Sequence, residues 1–172
     1  MLSGKHLAML REESAIADAV IEARGYRTVE KKAELKALGF SPAQCRVPAL
    51  VIPVYSVTGE VALHQSRPDA PRAGRDGKLI KYETPRGARM ALDVHPCIRQ
   101  HLGNPTRPLF ITEGIRKADS AISHGLCCIA LLGVWNWRGR NADGGKLRRS
   151  RHGTGDSAAG GCTTRACSTS SV

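Results

Sequence analysis

Between Leu109 and Gly133 the chain reads Leu-Phe-Ile-Thr-Glu-Gly-Ile-Arg-Lys-Ala-Asp-Ser-Ala-Ile-Ser-His-Gly-Leu-Cys-Cys-Ile-Ala-Leu-Leu-Gly, an order that few folds can accommodate. Leu109 to Ile111 is a short apolar run of the kind that forms a buried parallel strand. Ile115, Ala118 and Ile122 then recur at helical spacing on one face, and Gly125 is placed to end that helix in the left-handed conformation. Cys127 to Leu132 is a second apolar strand, closed by Gly133. A parallel pair joined by a helix puts Glu113 at the carboxyl edge of the first strand, where open α/β sheets place their ligands. Two readings of Glu113-Gly114 follow. A carboxylate at the start of a helix is favoured by the macrodipole by about 0.3–1 kcal/mol, so the residue can be purely structural. A carboxylate at a sheet's carboxyl rim can also hold a divalent cation or a reacting oxygen.

The segment ahead of this unit divides in two. Ser14 precedes a helical run to Arg24 in which Ile16, Val20 and Ala23 share a face, with Gly25 as the stop. Lys31 to Leu38, ended by Gly39, is a second short helix. Two helices about a glycine invite a helix-turn-helix reading, although such hairpins more often simply pack. Residues 47–92 read as antiparallel β: Ala49 to Tyr55 as one strand, Ser56-Val-Thr-Gly59 as the turn, and Glu60 to Ser66 returning with Val61 and Leu63 on one face. Then Arg67, Arg72, Arg75, Lys78, Lys81, Arg86 and Arg89 face only Asp69, Asp76 and Glu83 in the opposite sign. A basic loop beside a rim carboxylate suits a phosphate backbone, because each neutralised phosphate releases counterions. A solvated hairpin tip has the same composition. Trp135 and Trp137, next to Arg138, can stack on bases or cover a sheet edge.

From Lys146 onward the character changes. Beyond Trp137 there is no aromatic residue, and the sizeable aliphatics are Leu147 and Val172. No strand or helix period survives. Arg, Ser, Gly, Thr, Ala and Cys are what GC-rich coding sequence yields out of frame, so a shifted reading frame is expected, with an ordinary basic tail as the alternative. Neither should pack. The formal net charge is +11, with 26 Lys and Arg against 15 Asp and Glu, and residues 138–172 supply +5 of it. The rest is modest support for a nucleic-acid partner. No run approaches the ~20 apolar residues of a membrane span, and the N-terminus is charged too early for a signal peptide, which makes a cytoplasmic location the expectation. The six cysteines form no C-x-x-C pair, so neither a zinc site nor a disulfide framework is expected. His95-x-Cys97 lacks the second pair that a zinc site needs.

The order Glu113-Gly114, helix, Gly125, apolar strand and Leu131-Leu-Gly133 resembles the first half of a Toprim domain, the metal-binding catalytic module of primases, topoisomerases and related nucleases. Val51-Ile-Pro-Val-Tyr55, Thr58-Gly-Glu-Val61, Arg67-Pro68 and Lys81-Tyr-Glu-Thr-Pro85 are similar in order to the segment preceding that module in bacterial-type primases. The nearest resemblance is to Toprim-like proteins of plasmids, phages and other mobile elements, often joined to primase or helicase modules. It implies Mg²⁺-assisted phosphoryl chemistry, with Glu113 as general acid or base or as a metal ligand. It also implies Arg67 and Lys81 near the template path. Two departures matter. Lys117 occupies the position where primases carry Asp, and Asp119 lies on another helical face. No Asp-x-Asp strand follows Gly133, where Asp143 and Asp156 stand isolated.

The expectation is therefore an α/β chain with an α+β lead-in: helices over 1–46, antiparallel β with a basic loop over 47–106, a partial Toprim-like βαβ over 107–141, and a disordered tail over 142–172. Single-stranded or template DNA is the expected partner, with a helicase in relatives. Arg67, Lys81, Arg86, Lys117, Trp137 and Arg138 are its expected contacts. Glu113 alone should bind Mg²⁺ weakly or not at all, leaving the chain catalytically inactive. The alternative is a non-catalytic nucleic-acid-binding accessory protein.

Overall fold

The computed structural model describes residues 1–132 apart from Arg75 and Met90. In chain order the elements are α1 (Gly4–Arg11), α2 (Asp18–Arg24), β1 (Arg27–Val29), α3 (Lys32–Ala37), β2 (Ala49–Tyr55), β3 (Val61–Pro68) and β4 (Leu92–Asp93). A 3₁₀ helix over Pro96–His101, then β5 (Leu109–Glu113), α4 (Ile115–Ser123) and β6 (Cys127–Leu131) complete them. The strands form two three-stranded sheets, β1-β2-β3 and β4-β6-β5. The first is antiparallel, and in the second β5 and β6 run parallel while β4 is antiparallel to β6. This is the mixed α/β architecture expected.

The lead-in differs in detail. α1 was not legible as a helix, yet Ser3 caps it by accepting the His6 N–H at 3.3 Å, the arrangement that satisfies an orphan first-turn donor. His6 is buried and bonded through Nδ1 to Thr28 Oγ1 (2.7 Å) and through Nε2 to Asp69 Oδ1 (2.9 Å), tying α1 to β1 and to the residue after β3. Ser14 does not cap the next helix. Ala15 takes a positive φ of 51°, and α2 begins only at Asp18 before ending at Gly25 in the left-handed conformation, as anticipated. In the β2–β3 hairpin a register shift between Val54 and Tyr55 sends Val61 to the surface while Leu63 stays buried, so those two do not share the inner face. Gly59 turns this hairpin at φ +91°, and Arg99 Nη1 donates to Thr58 O at 2.6 Å across it. A Cβ at Gly59 would collide with that guanidinium.

Two apolar clusters lie on either side of β2. Leu50, Ile52 and Val54 face a core with Met9, Leu10, Val20, Ile21, Ile115, Ala118, Ile122 and the β6 residues Cys127 to Ala130. Ala49 and Val51 face a smaller one with Val29, Leu35, Phe40 and Cys45. The alternation is the strand period of two, and each fully buried aliphatic contributes about 1.5–3 kcal/mol. Pro53 sits beyond the reach of β1, whose pairing with β2 stops at Val51. There β2 tolerates a residue without an N–H.

A buried ion network fastens α4 to this frame. Arg24, fully buried, donates from Nη1 and Nη2 to both oxygens of Asp93 at 2.6 and 2.9 Å, and from Nε to Asp119 Oδ2 at 3.0 Å. Tyr26 OH donates to Asp119 at 2.6 Å, and the Tyr55 N–H donates to Asp93 at 3.1 Å. Burial alone would lower the Arg24 pKa, but Asp119 and Asp93 outweigh it and the net direction is upward. Burial likewise pushes the Asp93 carboxyl up against the pull of Arg24.

The expectation of a buried first strand in the βαβ unit is overturned. Leu109, Phe110 and Ile111 of β5 are 48, 46 and 62% exposed. β5 is an edge of its sheet among the described residues. β6, the middle strand, is the buried one. Apolar content reports what a strand can bury; it does not report what arrives to cover it.

Candidate nucleic-acid interface

β5 delivers Glu113 to its carboxyl end, and the chain then has to turn sharply into α4. Gly114 makes that turn at φ +89°, ψ 136°, a conformation strained for any side chain, and its N–H donates to Leu131 O at 2.9 Å. Glu113 stands just outside the helix and is exposed, with no hydrogen bond or ion pair among the described residues. It caps nothing there, which weakens the purely structural reading. It lines a depression of about 410 Å³ whose other walls include Gln65, Tyr82, Thr84, Arg116 and Lys117.

Three cationic groups stand at or behind this depression, in different states. Arg116 is pinned: it donates to Ser14 Oγ and, through Nη2, to Met9 O at 3.1 Å, with Tyr82 OH at 3.4 Å and Glu13 at 3.7 Å. Lys117, one residue on, is exposed and makes no ion pair among the described residues. Arg67 does not line the depression. Its guanidinium lies 5.9 Å from the centroid of the Tyr82 ring and donates to Met9 Sδ, so it supports that ring from behind. Tyr82 is 37% exposed, and its hydroxyl accepts from Arg116 Nη1 at 3.4 Å.

Lys81 and Arg86 are exposed on the segment that carries Tyr82 and do not line the depression. Trp137 and Arg138 lie outside the described residues. Arg72 is not a free cation of the basic loop. It forms a two-pronged ion pair with the buried Glu83 at 2.9–3.1 Å, which raises the guanidinium pKa through hydrogen bonding and charge and straps the loop to β3. Tyr82, Gln65, Thr84 and Arg116 were not singled out from the sequence. Tyr82 had a signal, the Lys-Tyr pair of the resemblance. Arg116 had none, because its partners lie about a hundred residues away.

Among the described residues that line the depression, Glu113 is the one carboxylate. Among the described residues no three His, Cys, Asp or Glu side chains come together in a way that would hold a metal ion. Asp119 is buried on Arg24 and takes no part. Mg²⁺ is usually held by one or two carboxylates together with waters and substrate phosphates; the described residues of the depression supply Glu113 for such a role, beside Arg116 and Lys117. His95 is committed too. Its Nε2 donates to Val20 O at 3.1 Å and its Nδ1 accepts from the Cys97 N–H, fixing a neutral ring whose pKa burial lowers.

Comparison with known proteins sets this geometry in context. The profile of a family described as "Domain of unknown function (DUF3854)" matches residues 99–154. An uncharacterized protein of Picosynechococcus sp. is 30% identical over 112 residues, covering 49% of this chain and 11% of the relative. The fold is similar to that of the Aquifex aeolicus primase (zinc-binding and RNA polymerase domains), with TM-score 0.58 and 16% identity over 76% of this chain and 37% of that one. A DnaG primase catalytic domain bound to ssDNA matches with TM-score 0.52 and 17% identity, over 74% of this chain and 46% of that one. The DnaG catalytic core matches with TM-score 0.51 and 16% identity, over 74% and 47%. The chain thus spans about a tenth of its curated relative and less than half of each of these solved primases.

Proposed function

We propose that this chain is a primase-related, Toprim-like module that holds single-stranded DNA across the depression in front of Glu113 without metal-dependent catalysis by the described residues. One observation carries the reading. Tyr82, partly exposed, under the Arg67 guanidinium and bonded by Arg116, lines one depression together with Lys117, which makes no ion pair among the described residues. An aromatic face next to a free cation is the minimal unit that binds a base and its phosphate, and stacking on such a ring contributes about 1–3 kcal/mol per base. Lys81 and Arg86 are exposed on the segment that carries Tyr82 and add positive charge for a nucleic-acid backbone. The primase core that shares this fold is bound to ssDNA in one of the solved structures, which favours a single strand over a duplex.

Glu113 is assigned a positioning role: its charge repels phosphate and so steers the backbone toward Lys117. In relatives that carry further carboxylates, the resemblance implies that Mg²⁺ supplies phosphoryl chemistry at this rim; here the donor set is one residue. On the same reading the module serves replication of a mobile element in the cytoplasm, next to a helicase. The mobile-element and helicase parts of that assignment rest on motif order.

The test is fluorescence anisotropy of the full chain with a short single-stranded oligonucleotide in EDTA across a salt series. Binding without Mg²⁺ is expected, with log K falling against log salt at a slope of about −2 for three phosphate contacts. Lys117→Ala should reduce that slope by about 0.7. Binding that requires Mg²⁺, or that is indifferent to Lys117→Ala and Tyr82→Ala, overturns the proposal.

A further inference from the structure

The two guanidiniums that meet Tyr82 are anchored by one short stretch of chain. Met9, in the last turn of α1, accepts twice: its carbonyl from Arg116 Nη2 at 3.1 Å, and its Sδ from Arg67 Nη1. Ser14 Oγ donates its proton to that same carbonyl at 3.2 Å, which leaves its lone pairs for Arg116. Arg116 uses them, donating from Nε at 2.8 Å and again from Nη2. On the single-strand reading above, we propose that Ser14 is a positioning residue of the site. By fixing Arg116 it fixes the Tyr82 hydroxyl, and with it the ring on which a base stacks.

Three observations separate this role from ordinary fastening of the fold. First, α2 and its approach are joined to α4 without Ser14, through Arg24 to Asp119 and through the Ala17 N–H to Ser123 Oγ at 2.9 Å. Second, the turn carries a conformational cost. Among the described residues Ala15 is the one non-glycine residue with a positive φ, and Ile16 closes the turn behind it by donating to Leu10 O at 3.0 Å. Left-handed backbone is unfavourable for a residue with a Cβ and persists only where its surroundings impose it. The side chain delivered next to it is Ser14, bonded to Arg116 across 102 residues of sequence. Third, Arg116 is nearly saturated. Its Nε–H, both Nη2–H groups and one Nη1–H are spent on Ser14, Met9 and Tyr82, four of the five donors of a guanidinium. Arg116 therefore holds the ring, and phosphate falls to Lys117, exposed one residue on.

Anisotropy titrations of the full chain in EDTA test this with two single strands of equal length, one bearing bases and one abasic. Tyr82→Ala should weaken binding of the base-bearing strand about fivefold or more and leave the abasic strand within about twofold. Ser14→Ala should show the same selectivity with a loss of about threefold or more, since it removes the acceptor of a charged donor. Ser14→Thr keeps the hydroxyl and should bind to within about twofold of the unaltered chain. In a Tyr82→Ala background, Ser14→Ala should cost nothing further, because both changes act through one ring. Losses on both strands alike, no recovery in Ser14→Thr, or additive losses in the double variant would each make Ser14 a residue of the fold and overturn the proposal. Should Ser14→Ala fail to fold by circular dichroism, Tyr82→Phe decides. It keeps the ring and deletes the hydroxyl that Arg116 bonds, so it must show the selective loss, and unchanged binding overturns the proposal. A Tyr82→Ala loss without a Ser14→Ala loss sinks the positioning role alone. Indifference to Tyr82→Ala sinks the single-strand reading as well.

Discussion

Glu113 and Asp119 lie six residues apart, at the end of the strand and in the middle of the helix of one βα unit, and their circumstances are opposite. Asp119 is buried, with Arg24 and Tyr26 filling its hydrogen-bonding capacity. Glu113 is exposed at the lip of a depression and has no partner among the described residues. The same contrast separates Arg24, enclosed by two carboxylates, from Lys117, which makes no ion pair among the described residues. A sealed charge is committed to holding elements together, because releasing it would leave a buried ion uncompensated. An open charge stabilises nothing measurable and remains available to a ligand. The two regions therefore answer different questions, one about folding and the other about binding, and substitutions should separate them.

The largest effect belongs on the sealed side. Asp119→Ala strands half of the Arg24 guanidinium in the core and should cost about 3–5 kcal/mol, read as a fall in the denaturant midpoint with an unchanged slope. Loss of less than about 1 kcal/mol would mean that the network is not a structural clamp. Tyr82→Ala, on the open side, should weaken oligonucleotide binding by about 1–3 kcal/mol while moving the unfolding midpoint little. A variant that loses stability and binding together would erase the distinction.

His95 provides a pH test of the sealed region. Burial holds its folded pKa below the ordinary value of 6.5, so the unfolded chain takes up the proton first. Its stability contribution is complete above pH 6.5 and is lost as pH falls from there toward the folded pKa, with a slope of at most about 1.4 kcal/mol per pH unit. His95→Gln should flatten that part of the stability–pH curve. Ser3→Ala removes the α1 cap and should cost about 1 kcal/mol, seen in the melting temperature. Smallest of all, Glu113→Gln should leave stability within about 0.5 kcal/mol and should modestly tighten oligonucleotide binding by removing a negative charge. A Glu113→Gln chain that unfolds more easily would put Glu113 on the structural side.

What could be read in advance follows the range of the forces involved. The βαβ unit from Leu109 to Leu131 was legible because strand, glycine turn, helical spacing and glycine stop are all local signals. The β2–β3 hairpin was legible for the same reason, apart from its register shift at Tyr55. Arg24 could not be matched with its carboxylates, which lie 69 and 95 residues further along. α1 was read only for its early charges, although Ser3 supplied a capping signal. For β5 the chemistry was right and the burial wrong, since coverage depends on a neighbour and not on the strand. At the site, Glu113 and Lys117 stand at the depression, and the sequence had pointed to both. Tyr82, between the more conspicuous Lys81 and Glu83, emerged only once Arg67 and Arg116 were seen to hold it.

The most direct measurement of the central claim is site mapping by photocrosslinking. A single-stranded oligonucleotide carrying 4-thiothymidine would be bound to the full chain in EDTA, irradiated, and the crosslinked peptides identified by mass spectrometry. Adducts on Tyr82 and on the peptide spanning residues 113–117, suppressed by unlabelled single strand, are the expected result. Adducts confined to residues 138–172, with none on that rim, would contradict the assignment of nucleic-acid binding to the open depression.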